Sequence, residues 1–335
     1  MTNAERNDKV GSFIFALNAV LPIILTVAIG YFLKRIGLIT PELARGGNKL
    51  VFRVLLPALL FLNVYEIESF SSVGFGYIIY AVFAVISVFL LALPLVLILT
   101  KDNPRRGSVH QCVFRSNFAL IGIPLAIAIY GEEGGAVAAL LSAVSIPLFN
   151  VLAVVSLSVF GGGKKPSAKK ILLGIIKNPL IISVAAGCLA LLLRGALVGA
   201  GIAWRLSDIT PIYKALDYLA SAATPIALLM LGGQFEFSAI PGMKKEIIFA
   251  TAARVLAVPL ITVGIACLIP SFHGTHIAAL FALFASPVAV SSVPMAQESG
   301  ADAALAGQLV VWTTMLSAFT LFGFIFVLRL LEIFV

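Results

Sequence analysis

The chain has 335 residues, of which 61% are hydrophobic and 11% are charged, with a net charge of +8 at pH 7. A soluble domain carries about 25% charged residues, so this composition excludes an ordinary soluble protein. Apolar runs of about 20 residues, the length that crosses a bilayer, recur along the chain. The sequence therefore predicts an all-α polytopic membrane protein. We interpret its positive net charge as basic residues in loops on one side of the membrane, and not as a sign of nucleic-acid binding.

Ten membrane spans are predicted in chain order. They cover residues 10–33, 46–65, 73–99, 107–130, 134–160, 171–193, 211–233, 245–269, 275–297 and 303–333. The longest polar connection, GGGKKPSAKK at 161–170, is typical of a flexible linker and divides the chain into halves 1–160 and 171–335. Lys and Arg are concentrated in the loops that follow odd-numbered spans. This pattern places the Lys-rich linker in the cytoplasm and both termini outside.

The two halves resemble each other in sequence. PIILTVAIG in the first span, Pro22–Gly30, matches PLIISVAAG in the sixth, Pro179–Gly187. LALPL in the third span, Leu91–Leu95, matches LAVPL in the eighth, Leu256–Leu260. Because five is an odd number of spans, the second copy must enter the membrane from the opposite side. We therefore expect two inverted five-helix repeats, an architecture typical of secondary transporters.

The fourth and ninth spans are predicted to break near the middle of the membrane. Span four contains SNFALIGIP, with Asn117, Gly122 and Pro124, and span nine contains SPVAVSSVP at 286–294. Proline removes a helical hydrogen bond, and a break at this depth is tolerated only where protein or a cavity satisfies the backbone. Half-helices that begin at the two prolines would direct free N–H groups toward one anion site.

The candidate substrate site combines the two breaks. Its predicted members are Asn117, Gly122, Pro124, Ser286, Pro287, Ser291, Ser292 and Pro294. The polar groups among them could bind an anion, or could serve only to satisfy the broken backbone. Other polar residues inside the spans could line a path or link helices, and they are Asn18, Asn63, Ser142, Ser145, Asn150, Gln308 and Thr313. Arg115 and Arg254 are candidates for drawing an anion inward, whereas Arg53 is expected to extend to the membrane interface.

The chain shows no pattern that indicates catalysis, a cofactor or a metal site. It has no Walker loop, no metalloprotease helix and no nucleophile elbow, and its 3 cysteines stand singly in apolar runs. We therefore expect neither an enzyme nor an ATP-driven pump. No carboxylate lies plainly in the middle of a span, which argues against a buried proton relay and leaves coupling to Na⁺ or H⁺ open.

The motif SNFALIGIPLAIAIYGEEG resembles the fourth span of the auxin efflux carrier family, in which Asn precedes Gly-Ile-Pro-Leu by five residues. GGNKLVFRVLLPALLF, KNPLIIS, TAARVLAVPL and SPVAVSSVPMAQESGAD are similar to its second, sixth, eighth and ninth spans, so the resemblance covers the whole chain. It implies a scaffold part and a transport part, elevator-like alternating access, and often a homodimer. It also implies a small carboxylate substrate, held by Asn117 where helices four and nine cross. Ser291 and Ser292 stand where many bacterial members have Asn.

These observations predict a secondary transporter of a small organic anion, a mono- or dicarboxylate, in the inner or plasma membrane. The anion and membrane lipid are its expected partners. A sodium-coupled organic-anion symporter of the bile-acid type is one alternative, and it would need a cluster of oxygen ligands at the crossing. A receptor that binds its ligand without moving it is the other. An added signalling domain or a long cytoplasmic loop would favour the receptor, and the sequence leads us to expect neither.

Overall fold

The structure is a computed structural model that describes residues 21–66, 75–161, 173 and 176–334. Within these ranges the chain forms helices, turns and loops, with no β-strand. Eight of the described helices are long and apolar enough to cross a membrane. The chain is therefore an all-helical, multi-pass membrane protein, as its composition predicts.

The helices are labelled α1 to α10 in chain order. They are α1 (21–35), α2 (Pro41–Tyr65), α3 (Gly76–Leu99), α4 (Asn103–Gly131), α5 (Glu133–Phe160), α6 (Pro179–Gly199), α7 (Thr210–Gln234), α8 (Pro241–Cys267), α9 (Gly274–Ala285 and Ser292–Glu298) and α10 (Ala303–Leu330). The start of the predicted first span, at residues 10–20, lies outside the described residues. The predicted linker lies outside them too, apart from Gly161.

Side-chain caps set the starts of three helices. The side chain of Thr40 accepts a hydrogen bond from the Leu43 N–H at the start of α2. Asn178 and Asp302 cap α6 and α10 in the same way, at 2.9 Å each. Such caps satisfy backbone donors that have no partner within the helix. In α2 and α6 a proline follows the cap directly, where its missing N–H removes nothing from the helix.

Two helices are interrupted. In α4 a regular helix ends at Phe114, the next residues are extended, and a π-helical turn Phe118–Gly122 leads into the second half. In α9 the interruption separates Gly274–Ala285 from Ser292–Glu298. Breaks are therefore present in both spans that contain the proline motifs. The prediction that the second halves begin at the prolines is wrong. Pro124 follows the α4 break by seven residues and lies just after the π-helical turn, so the second half begins before it.

The helices pack as two groups. One group contains α1, α2, α6 and α7, and the other contains α3, α4, α5, α8, α9 and α10. The first half of α9 is buried along most of its length at the centre of the second group. Large exposed apolar side chains such as Leu91, Leu189 and Leu260 lie on the outer faces of both groups, as expected for surfaces that face lipid.

Candidate substrate site

A cavity of about 80 Å³ lies beside the breaks of α4 and α9. Its polar lining residues are Asn63, Arg115, Ser116, Asn117, Asn150, Thr224 and Ser291. Apolar side chains of α2, α5, α6 and α7 complete the wall, so both groups of helices contribute to it. The cavity offers several times the space that one water molecule needs. It is therefore large enough for a small polar ligand.

The two breaks contact each other directly. The backbone N–H of Asn117 donates to the carbonyl oxygen of Pro287 at 2.8 Å. Five residues further on, Gly122 packs against the first half of α9, where an added Cβ would lie 2.8 Å from the carbonyl oxygen of Ala282. Glycine therefore permits the close approach of the two helices, and the hydrogen bond joins their extended segments.

Arg115 is a buried cation whose described partners are all neutral. Its side chain donates to Gln111 Oε1 at 3.2 Å, to Asn150 Oδ1 at 2.8 Å, to Ser291 Oγ at 2.7 Å and to the sulfur of Met295. Arg115 is 4% exposed, and none of the ion pairs among the described residues includes it. A buried charge without an opposite charge is costly. The cavity is thus electropositive, and none of the described residues that line it carries a negative charge.

Two polar atoms beside Arg115 have no hydrogen-bond partner among the described residues. They are the side-chain nitrogen of Asn117 and the hydroxyl of Ser116, and both residues are buried and line the cavity. A buried donor without an acceptor is destabilising by about 1–3 kcal/mol. Groups of this kind are commonly satisfied by a ligand or an ordered water. The amide of Asn117 is therefore free to donate to an anion in the cavity.

Arg254 does not line the cavity, although the sequence suggested it as a group that attracts the anion. It is fully buried, and its five guanidinium N–H groups donate to the carbonyl oxygens of Val113, Phe114, Leu283, Phe284 and Ser286. These carbonyls end the first halves of α4 and α9. Each helix C-terminus carries roughly half a negative charge, so the two ends together offset the charge of Arg254. Arg115 donates to side chains instead, and none of its described partners carries a negative charge.

Three of the predicted site residues, Arg115, Asn117 and Ser291, line the cavity. The others do not, and they are Gly122, Pro124, Ser286, Pro287, Ser292, Pro294 and Arg254. Several of these shape the crossing itself, since the hydroxyl of Ser286 donates to the carbonyl of Ala282 at 2.7 Å and the carbonyl of Ser292 accepts from Gln111.

The second half of α4 and the second half of α9 differ in whether their first backbone N–H groups are free to bind a ligand. In α9 the N–H groups of Ser292 and Val293 already donate to the carbonyls of Ala289 and Val290, at 3.0 and 3.2 Å. The expectation of a free helix N-terminus there is wrong, because a tight turn occupies these donors. In α4 the first N–H groups of the second half, at 118–120, have no partner within the helix, and these three residues line the cavity. The positive helix end of the site is therefore that of α4.

Sequence reasoning did not assign Ser116, Gln111 or Thr224 to the site. Gln111 could have been found from its spacing, since residues four apart share a helix face and Arg115 follows it by four. Thr224 lies on α7, and its position at the cavity depends on how the two groups of helices pack. Among the described residues, no group of three or more His, Cys, Asp or Glu side chains could hold a metal ion.

Side-chain amides, one of them the buried Asn48, also connect the two groups of helices outside the cavity. The side chain of Asn48 on α2 donates to Gln234 Oε1 on α7 at 2.9 Å and to Gln297 Oε1 on α9 at 3.1 Å. Gln234 donates to the same oxygen of Gln297 at 3.2 Å. These uncharged contacts cross the boundary at which the cavity lies.

Comparisons with known proteins point to transport. A family model described as membrane transport protein matches residues 15–160 and 164–325. A putative malonate transporter of Rhizobium meliloti (strain 1021) is 24% identical over 329 residues, which cover 92% of this chain and 95% of that protein. An uncharacterized transporter of Methanocaldococcus jannaschii is 26% identical over 223 residues, covering 64% of this chain and 68% of the relative. One of Methanothermobacter thermautotrophicus is 23% identical over 323 residues, covering 92% and 97%.

Proposed function

Because the chain belongs to the membrane transport protein family, whose model spans both of its halves, we propose that it is a secondary transporter of a small organic anion. The family match confirms the resemblance to the auxin efflux carriers, and members of this family are transporters and not enzymes. The observation that carries the proposal is Arg115, a buried cation that faces the cavity with neutral partners only. Asn117 adds a free amide donor beside it.

A carboxylate in the cavity would satisfy both groups. It would supply the charge that Arg115 lacks, and it would accept a hydrogen bond from Asn117. Hydrogen bonds between ionised groups are roughly twice as strong as those between neutral ones. The free N–H groups at the start of the second half of α4 favour a negative charge at the same place. The cavity of about 80 Å³ favours a small acid, in line with the relative named as a putative malonate transporter.

The proposed mechanism is elevator-like alternating access. The group formed by α1, α2, α6 and α7 would act as the scaffold, and the other six helices would carry the anion past it. Each group takes corresponding helices from the two halves of the chain, which supports two inverted five-helix repeats, 1–160 and 171–335, joined by the linker. The proposal retains ten spans in the inner or plasma membrane, both termini outside, a cytoplasmic linker and a homodimer.

Transport by proteoliposomes tests this function. Uptake of labelled malonate, succinate, acetate and benzoate is measured with the unmodified protein and with Asn117→Ala. We expect flux for at least one of these acids and a loss of at least tenfold in the variant. Asn103→Ala is the matched control, since Asn103 lies on the same helix outside the cavity and bonds only to Arg106 in the described contacts.

The same vesicles separate the alternatives. Flux that requires a sodium gradient would favour the sodium-coupled symporter. Binding of an acid without flux would favour a receptor. Equal flux in Asn117→Ala and Asn103→Ala would contradict the site.

A further inference from the structure

A second cavity, of about 580 Å³, lies at the end of the molecule where α6 begins. Its charged and polar lining residues are Arg53, Ser158, Lys177, Asn178, Glu298 and Ser299. They come from α2, α5, the start of α6 and the end of α9. The cavity therefore lies between the two groups of helices, as the smaller cavity at the crossing does.

Neighbouring residues on the same two helices line both cavities. On α2, Phe52 lines the second cavity, and Leu56, one turn later, lines the cavity at the crossing. On α6, Pro179 lines the second cavity, and Leu180, the next residue, lines the crossing. The two cavities are therefore neighbours along the boundary between the groups.

The second cavity has a net positive lining. Among the described lining residues, Arg53 and Lys177 supply two cations and Glu298 supplies one carboxylate, which leaves +1. Arg53 Nε lies 3.3 Å from Glu298 Oε2, and the Arg53 side chain is 60% exposed. An ion pair with so exposed a partner is weak. A second carboxylate that enters the cavity can therefore replace Glu298 at the guanidinium with little loss.

We propose that this cavity is a second anion site, in which Arg53 and Lys177 hold a carboxylate on its way to or from the crossing. Glu298 occupies Arg53 while the cavity is empty, and an entering carboxylate displaces it. Glu298 ends the short half of α9, whose first residues follow Ser291, a partner of Arg115. The inference rests on the proposed function for the identity of its anion, and its test is independent of flux.

A cysteine placed in the second cavity reports its charge. Ser158→Cys is made in a Cys188→Ser, Cys267→Ser background, since the remaining Cys112 is buried. The cysteine is labelled with an anionic and with a cationic methanethiosulfonate of similar size. Each labelling rate is divided by the rate of the same reagent with a free thiol in solution, and the ratio of the two normalised rates gives the charge preference. We expect the anionic reagent to be favoured, and Arg53→Gln or Lys177→Gln to lower that preference by roughly three- to tenfold.

Two further variants complete the charge test. Glu298→Gln should raise the preference for the anionic reagent, because it removes the competing carboxylate. Arg35→Gln is the matched control, since its side chain is bonded to Tyr31 outside the cavity, and it should leave the preference unchanged. Equal labelling by both reagents, or no response to Arg53→Gln and Lys177→Gln, would overturn the proposal.

Protection by malonate separates the second site from the crossing. Malonate should slow the labelling of Ser158→Cys, and it should do so equally when Asn117→Ala is added. Loss of protection in that double variant would show that malonate binds only at the crossing, and it would overturn the second site. A protein that shows protection without any flux would refute the transport function while supporting the second site.

Discussion

Arg115→Gln removes the buried charge that carries the proposed function. The variant keeps a polar side chain but cannot pair with a carboxylate. Removal of one partner from a buried, hydrogen-bonded charge pair costs about 2–5 kcal/mol of binding free energy. At about 1.4 kcal/mol for each factor of ten, the substrate Kd should rise by roughly 30- to 4,000-fold. Arg115→Lys keeps the charge but loses the planar fork that reaches both Asn150 and Ser291, so its loss should be smaller, about tenfold.

Ligand-induced stabilisation measures this change without requiring flux. A ligand at 100 times its Kd raises the free energy of unfolding by about 2.7 kcal/mol. If the Kd rises a hundredfold, the same ligand concentration raises it by only about 0.4 kcal/mol. Purified protein in detergent is unfolded thermally with and without the transported acid, at a fixed concentration chosen from the Kd of the unmodified protein. The ligand-dependent increase in Tm should therefore nearly disappear in Arg115→Gln and persist in part in Arg115→Lys.

Arg115→Gln should lower the stability of the protein without ligand less than it lowers the stability of the protein with bound acid. Loss of the hydrogen bonds of Arg115 destabilises the fold, but loss of an uncompensated buried charge offsets part of this. Arg35→Gln, an exposed charge removal, is the control for net charge and should keep the full ligand response. A folded, monodisperse Arg115→Gln protein that keeps a Kd within twofold of the unmodified protein would refute the assignment of Arg115.

Further predictions concern the crossing and its surroundings. Arg254→Gln should lower the free energy of unfolding by about 3–5 kcal/mol with no acid present, because buried carbonyls lose their donors; a drop below about 1 kcal/mol would argue against its capping role. Gly122→Ala should destabilise by about 1–3 kcal/mol, since its Cβ would lie 2.8 Å from the Ala282 carbonyl. At Gly195 an added Cβ would have no neighbour within 4 Å, so Gly195→Ala should be neutral or slightly stabilising in the same denaturation assay. Equal effects of Gly122→Ala and Gly195→Ala would contradict the close packing of Gly122 against α9. Asn48→Ala should cost about 1–3 kcal/mol, measured in the same way, because the two hydrogen bonds of the buried Asn48 amide are lost, and an unchanged Tm would contradict that network.

The sequence predicted which helices are interrupted more closely than it predicted which groups at the interruptions are free to bind a ligand. The motif around Asn117 predicted the break in α4, and the cavity lies beside that break, because an asparagine, a glycine and a proline within one apolar span have few roles besides a break. The same reasoning misplaced the start of the second half-helix, since a π-helical turn at Phe118–Gly122 begins it before Pro124. It also expected a free helix end in α9, where the N–H groups of Ser292 and Val293 are occupied by a turn.

The two buried arginines show most clearly what the sequence could not distinguish. Arg115 and Arg254 both lie inside apolar spans, and each was a candidate for attracting the anion. In the fold, Arg254 donates to the ends of two helices and its charge is offset there. Arg115 lies at the cavity with neutral partners. Their hydrogen-bond partners differ, and most of those partners lie far away in the chain.

The sequence by itself determined the class of the protein, because the bilayer imposes a local requirement. Each spanning segment must be long, apolar and helical to satisfy its own backbone, so spans and breaks can be recognised one at a time. Only the tertiary structure decided which charge faces the cavity. Arg254 reaches the carbonyl of Val113 across 141 residues, and Arg115 reaches Ser291 across 176. Contacts of that range depend on how whole helices pack, and no local pattern in the chain encodes them.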